Sequence, residues 1–189
     1  MANSINGQFS FLSNQFKRSV VYFKDGSEKN GFVKFTNNDR IKFKTDKKEK
    51  TVNLSHETVD KIITRIDGIK STFQYRTIKG RKKPSLLEIL GSGKVTLYRD
   101  SFTTNTNNKN FSNSFNTNKY TYYYVSKSDE KEITDLDYKK FSPKHFIKAA
   151  KLYFKDCPQL IDKLEKKELG RRDFVAIVDY YNEDCDFKK

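Results

Sequence analysis

Two cysteines, Cys157 and Cys185, are the residues whose types and spacing most clearly predict a chemical bond. Cys157 opens a predicted helix over about 158–168, and Cys185 follows the next predicted helix, over about 172–183. Because a short loop joins these helices, they should pack antiparallel, which brings the start of the first beside the end of the second. The spacing therefore predicts a disulfide, with two reduced and unrelated thiols as the alternative. A disulfide favours a location outside the reducing cytosol.

Side chains suited to catalysis or metal binding are sparse. His56 lies in a polar turn and His145 at the start of a helix, and neither has a metal-ligating partner at a useful spacing. The sequence has no glycine-rich phosphate loop and no GxSxG or HExxH motif, and the segment 91–93 (GSG) lacks the flanking residues of a nucleophile turn. We therefore expect a protein without enzymatic activity, cofactor or metal. An enzyme would need a concave pocket with convergent ionisable groups, which the sequence does not define.

The positive charge of the chain is unevenly distributed. The net charge is +14, and residues 1–150 carry 29 Lys and Arg against 15 Asp and Glu, whereas residues 151–189 carry nine of each. Such a field attracts nucleic acid, acidic polysaccharide or lipid headgroups, although a lysine-rich composition also serves solubility alone. No apolar run approaches the ~20 residues of a membrane-spanning helix.

Two segments are candidates for contact with an anion or a partner. The first is a basic loop, for which an ordinary solvent-facing turn is the alternative. The second is a tyrosine-rich strand, whose alternative is burial between the sheet and the C-terminal helices. The candidate residues are Lys79, Arg81, Lys82 and Lys83 in the basic loop, and Tyr122 and Tyr124 in the tyrosine-rich strand.

The patterns of apolar residues predict an α+β fold. Short alternating segments between tight turns predict an antiparallel sheet or a small SH3-like barrel over residues 18–138, after an N-terminal tail at 1–17. An Asn-, Thr- and Ser-rich stretch at 101–118 predicts a long exposed hairpin loop. Residues 139–189 predict a region of three helices, which the disulfide would staple.

Two polar residues are predicted to begin helices. Ser142 is followed by Pro143 in the first-turn position, which is typical of a helix N-terminus. Asp156 is predicted to cap the second helix, where Pro158 lies in the first turn and Gln159 completes a capping-box pattern.

Several loose motifs also carry a family resemblance. They are LLEIL at 86–90, GKVTLY at 93–98, YYYV at 122–125, Asp156-Cys157-Pro158, Tyr180-Tyr181-Asn182 and Cys185. Over roughly residues 18–187 the chain resembles uncharacterised exported proteins of Bacteroidota. The resemblance implies an extracytoplasmic location and assigns no activity or catalytic residue. Residues 1–7 are polar and lack the apolar stretch of a signal peptide, which agrees with either a mature exported protein or a cytosolic one. Members of that family usually carry a signal peptide, so the resemblance implies that one has been removed.

These observations predict a non-enzymatic protein of the periplasm, outer-membrane surface or secreted fraction. Its partner would be another envelope or surface protein, with an anionic glycan or a lipid headgroup as further candidates. The alternative is a cytosolic protein that binds single-stranded nucleic acid through a basic barrel surface.

Overall fold

The computed structural model describes residues 15–36, 39–107, 115–136 and 142–185, and only the backbone of 102–107 and 115–119. Within these ranges the chain forms ten strands followed by three helices, so the predicted α+β class is confirmed. The strands are β1 (Lys17–Phe23), β2 (Glu28–Phe35), β3 (Ile41–Lys44), β4 (Val52–Leu54), β5 (Val59–Ile66), β6 (Ile69–Ile78), β7 (Ser85–Gly91), β8 (Val95–Asn107), β9 (Phe115–Lys127) and β10 (Glu132–Ile133). The helices are α1 (Pro143–Tyr153), α2 (Pro158–Glu165) and α3 (Phe174–Glu183).

The strands are hydrogen-bonded in the order β4-β3-β2-β1-β5-β6-β7-β8-β9, and β10 pairs with β6. The pairs from β4 to β6 are antiparallel, whereas β10 runs parallel to β6. Turns connect the consecutive antiparallel neighbours, whereas the β1–β5 and β6–β10 pairs join strands that are not consecutive in the chain. In the turn from β1 to β2, Gly26 takes a φ of 85°, a conformation that glycine adopts without strain, and Asp25 accepts a hydrogen bond from the Ser27 backbone N–H at 2.9 Å.

The chain divides into two compact units. Of the described residues, the first comprises 15–36, 39–76, 84–88, 100–107 and 115–122, and the second comprises 77–83, 89–99, 123–136 and 142–185.

The sheet of the first unit curls around its own apolar core. The rings of Phe35 on β2 and Phe73 on β6 are 4.7 Å apart, although two strands, β1 and β5, lie between theirs. A flat sheet would separate such residues by roughly 14 Å, since neighbouring strands are about 4.8 Å apart. Asp39 holds the curl, because its backbone oxygen accepts a bond from Tyr75 Oη at 2.7 Å and its carboxylate accepts one from Leu86 N at 3.1 Å. The more specific SH3-like barrel stays a prediction.

The three helices belong to the second unit, where they cover an apolar core. Phe146, Phe154 and Tyr181 are almost completely buried there, and the ring of Phe154 lies 5.0 Å from that of Tyr181. Helix α1 begins as predicted, with Ser142 before it and Pro143 in its first turn, although the Ser142 hydroxyl bonds to the His145 ring and not to the helix backbone.

Two sequence-based predictions of local structure need correction. The residue that caps α2 is Cys157, so Asp156 lies one position too early to act as the predicted cap. Strands β8 and β9 extend into the segment 101–118, which was predicted to be a loop: residues 101–107 and 115–118 are strand, and 108–114 lie outside the described residues. Threonines and aromatic residues in this stretch favour extended backbone despite its polarity.

None of the helices in the described part of the chain combines the length and apolar character that crossing a membrane requires.

Candidate functional site

The predicted disulfide joins Cys157 to Cys185 in the second unit. Their Cα atoms are 5.6 Å apart, within the ordinary range for the bond, and both side chains are buried. The bond connects the residue before α2 to the residue after the C-cap of α3, as the helical spacing predicted.

The predicted basic loop is an exposed turn between β6 and β7. Lys79, Lys82 and Lys83 are exposed and are not among the described ion pairs. Arg81 is also exposed, but its guanidinium lies 3.4 Å from Tyr124 Oη and about 6.0 Å from the centre of that ring. The lysines of the turn are therefore exposed to solvent, while Arg81 contacts the buried Tyr124.

The two tyrosines predicted for partner contact differ in exposure. Tyr124 is completely buried in the second unit, so its place on an exposed binding face is a wrong prediction. Three consecutive tyrosines show no period that separates an inner from an outer face, which is why the sequence did not identify the buried one. Tyr122, in the first unit, is half-buried.

A network of polar side chains ties the end of β9 to the helices within the second unit. Lys127 Nζ lies 2.7 Å from Asp156 Oδ2, and Tyr181 donates a hydrogen bond of 2.7 Å to the same oxygen. The Lys127 ammonium also lies 5.6 Å and 5.5 Å from the ring centres of Tyr153 and Tyr181. Tyr153 in turn donates to Glu130 at 2.5 Å. The Asp156 carboxylate therefore bonds to Lys127 and Tyr181, whereas Cys157 occupies the cap position of α2.

The protonation equilibria of these groups follow from their burial and their bonds. Burial raises the pKa of Asp156, but the hydrogen bonds from Lys127 and Tyr181 outweigh it, so the pKa lies below its ordinary value. Burial lowers the pKa of Lys127, but the bond to Asp156 outweighs it and the net shift is upward. Burial and the bond to Asp156 raise the pKa of Tyr181 to about 12, and burial with the bond to Glu130 raises that of Tyr153.

We expect the substitution Asp156→Asn to destabilise the protein modestly at neutral pH. The loss should not exceed about 1 kcal/mol, because the Asp156 side chain is 41% exposed and solvent screens its pairing with Lys127. A carboxyl whose pKa is depressed by folding stabilises the protein above its unfolded pKa of about 3.9 and loses that contribution as the pH falls through the folded value. Urea unfolding from neutral pH down to about pH 3 measures the difference from the wild type, which should shrink with acidity.

The matched control is Asp162→Asn, which breaks an exposed ion pair with Lys166 one helical turn away. Its effect should be smaller at every pH. A difference between Asp156→Asn and the wild type that did not change with pH would show that the charge of Asp156 plays no part.

An open cleft of about 550 Å³ lies beside this network in the second unit. Lys79, Lys127, Glu130 and Tyr153 contribute its polar wall, and Leu152, whose side chain is largely exposed, contributes to its apolar wall. Lys127, Glu130 and Tyr153 are engaged in the bonds described above. In the described residues, no cluster of three or more His, Cys, Asp or Glu side chains is suited to hold a metal ion.

A different surface, in the first unit, concentrates positive charge. On β3, Ile41 and Phe43 are buried, whereas Lys42 and Lys44 alternate with them and lie on the outer face of the curled sheet. Strand register places Lys34 of β2 directly opposite Lys42. Like charges in directly opposite positions destabilise an antiparallel pair, because their Cβ atoms are about 5 Å apart.

The same register extends this surface across three strands. Phe32 lies opposite Lys44 on one side and opposite Arg18 on the other, so the five outer-face residues Arg18, Phe32, Lys34, Lys42 and Lys44 form a contiguous group, which we call the lysine face. None of the five is buried. Among the residues of β1, β2 and β3, all of them described, Glu28 is the only acidic side chain on this face, and it lies at the opposite end of β2 from Lys34.

Aromatic rings on and beside the lysine face are covered by ammonium groups. Lys44 Nζ lies 4.5 Å from the ring centre of Phe16, and Lys47 Nζ lies 5.9 Å from that of Phe32. Such cation–π contacts hold lysine side chains against the sheet with their charge still facing solvent.

Residues 41–44 (IKFK) alternate apolar and charged side chains, which is typical of a half-buried strand, but these lysines were not selected as candidates from the sequence. The available signal was the short turn between two basic strands, which predicts a hairpin and therefore a shared outer face for Lys34, Lys42 and Lys44.

Comparison with protein-family models, with curated proteins and with solved structures finds no match to this chain.

Proposed function

We propose that this chain is a non-enzymatic extracytoplasmic binding protein whose partner carries negative charge. The main support for the extracytoplasmic location is the Cys157–Cys185 disulfide, which is buried in the core of the second unit. Disulfides of this structural kind persist in oxidising compartments and are rare in the reducing cytosol of mesophiles.

The charge distribution supports an anionic partner. The first unit contributes the lysine face, and the second contributes the exposed lysines of the 79–83 turn. A protein with a field of this sign gathers polyanions rapidly and binds them more weakly as salt is added.

Thiol trapping in the source cells tests the location. Cells are treated with a membrane-permeant alkylating reagent under denaturing, non-reducing conditions, and the mass of the intact protein is then measured. The proposal predicts that Cys157 and Cys185 remain unalkylated until a reductant is added, and that the protein fractionates with the envelope or the medium. Quantitative alkylation of both thiols before reduction would contradict it.

Binding of single-stranded nucleic acid in the cytosol is the second candidate, favoured by the concentration of positive charge on the outer face of the sheet. It predicts retardation of a single-stranded oligonucleotide in a gel shift at low salt, with steep loss of binding as salt increases. A gel shift without retardation at low salt would dispose of this candidate.

A further inference from the structure

We propose that the lysine face is the binding site for an acidic polysaccharide chain, that is, a linear glycan bearing carboxylate or sulfate groups. This inference rests on the proposed function and specifies both the surface and the chemical class of the ligand. It depends on three features of the first unit: the spacing of the lysines, their shared sign, and the covering of the nearby aromatic rings.

The spacing provides several contacts to one extended chain. Lys34 and Lys42 are cross-strand neighbours about 5 Å apart at Cβ, and Lys42 and Lys44 are separated by two residues of strand, or about 7 Å. Arg18 continues the row across β2 by way of Phe32. Successive anionic groups of one polymer can therefore meet successive cations without rearrangement of the backbone.

The shared sign gives an anion an energetic advantage at this place. The Lys34–Lys42 pair is mutually repulsive in the free protein, and Glu28 is too far along β2 to neutralise it. An anion placed between the two ammonium groups replaces repulsion by attraction, so the binding energy includes relief of a cost already present in the fold. Substitution of these lysines should accordingly reduce binding without reducing stability.

The covering of the rings favours a glycan over single-stranded nucleic acid. Nonspecific binding of single strands depends on bases stacking upon open aromatic faces. Here lysine ammonium groups lie over the rings: Lys44 over Phe16 at 4.5 Å, and Lys61 over Tyr22 at 4.6 Å. Three of the four cations of the lysine face are lysines, which act as point charges, whereas arginine, present there only as Arg18, is the side chain suited to bidentate phosphate recognition.

The test compares two triple variants with the same net charge. The first, Lys34→Gln with Lys42→Gln and Lys44→Gln, neutralises the centre of the lysine face. The control, Lys144→Gln with Lys148→Gln and Lys155→Gln, neutralises exposed or surface positions in and after α1 of the second unit. Affinity is measured for heparin, polygalacturonate, an oligothymidylate and phosphatidylglycerol vesicles between about 50 and 200 mM salt.

We expect the wild type to bind one of the two glycans more tightly than the oligothymidylate or the vesicles. The lysine-face variant should lose at least about tenfold in glycan affinity. The magnitude of its slope of log affinity against log salt should fall by about 2, because binding through fewer contacts releases fewer counterions. The control should change little, because its substitutions leave every cation of the lysine face in place. Thermal unfolding should show the lysine-face variant to be at least as stable as the wild type.

The failures of the two proposals are distinguishable. Glycan binding that survives in the lysine-face variant, or falls equally in both variants, overturns the assignment of the surface and leaves the proposed function standing. Tighter binding to the oligothymidylate or to the vesicles overturns the ligand class. A wild type that binds none of the four probes removes the anionic partner from the proposed function itself.

Discussion

Replacing both Cys157 and Cys185 by alanine should lower the free energy of unfolding by about 3–4 kcal/mol. The bond spans 28 residues of sequence, and a cross-link across a loop of that length restricts the unfolded chain by about this amount on the chain-entropy model. Equilibrium unfolding in urea measures the change, and the loss should appear in the midpoint more than in the slope.

Reduction of the wild type provides the control for this prediction, because it breaks the bond without removing atoms from the core. The reduced wild type and the double alanine variant should have similar stabilities, and a reductant should not destabilise the variant further. If reduction left the unfolding midpoint of the wild type unchanged, the disulfide would not be the constraint that we infer.

Substitution of Asn182 by alanine should cost about 2–4 kcal/mol. The Asn182 side chain accepts a hydrogen bond from Val95 N at 2.8 Å and donates one to Val95 O at 2.9 Å, thereby acting as a strand partner for a buried residue of β8. Its removal leaves both backbone groups of Val95 without these bonds, and unsatisfied buried groups cost more than the bonds themselves are worth. Chemical unfolding measures the loss, and Glu183→Ala, at the exposed neighbouring position, is the matched control.

A double-mutant cycle with Gly93 sharpens this test. A Cβ atom at position 93 would lie 2.6 Å from Cγ of Asn182, so Gly93→Ala should displace the amide and destabilise the protein. In the Asn182→Ala background that clash is absent, and the same glycine substitution should cost much less. Additive effects of the two substitutions would contradict the close approach of Gly93 to Asn182.

The structural features that depend on residues close together in the sequence were predictable. The helical spacing and short connection between α2 and α3 predicted the pairing of Cys157 and Cys185, since two antiparallel helices offer few ways to place their ends. Residues 41–44 alternate apolar and charged side chains, a local pattern that agrees with β3 and with the exposed position of Lys42.

Features set by distant partners were not predictable in the same way. Asp156 has the residue type and position of a helix cap, yet it pairs with Lys127, 29 residues away, and nothing in the local sequence favours one role over the other. The contact between Asn182 and Val95 joins residues 87 apart. The burial of Tyr124 depends on which face of β9 the helices cover, a tertiary property that three consecutive tyrosines do not encode.

Lysine footprinting in the presence of heparin tests the central claim most directly. The protein is acylated briefly with and without the glycan, and the modification of each lysine is quantified by mass spectrometry. Binding at the lysine face predicts strong protection of Lys34, Lys42 and Lys44 and unchanged reaction at Lys148 and Lys155. Protection confined to the 79–83 turn, or uniform reaction at every lysine while heparin is bound, would contradict it.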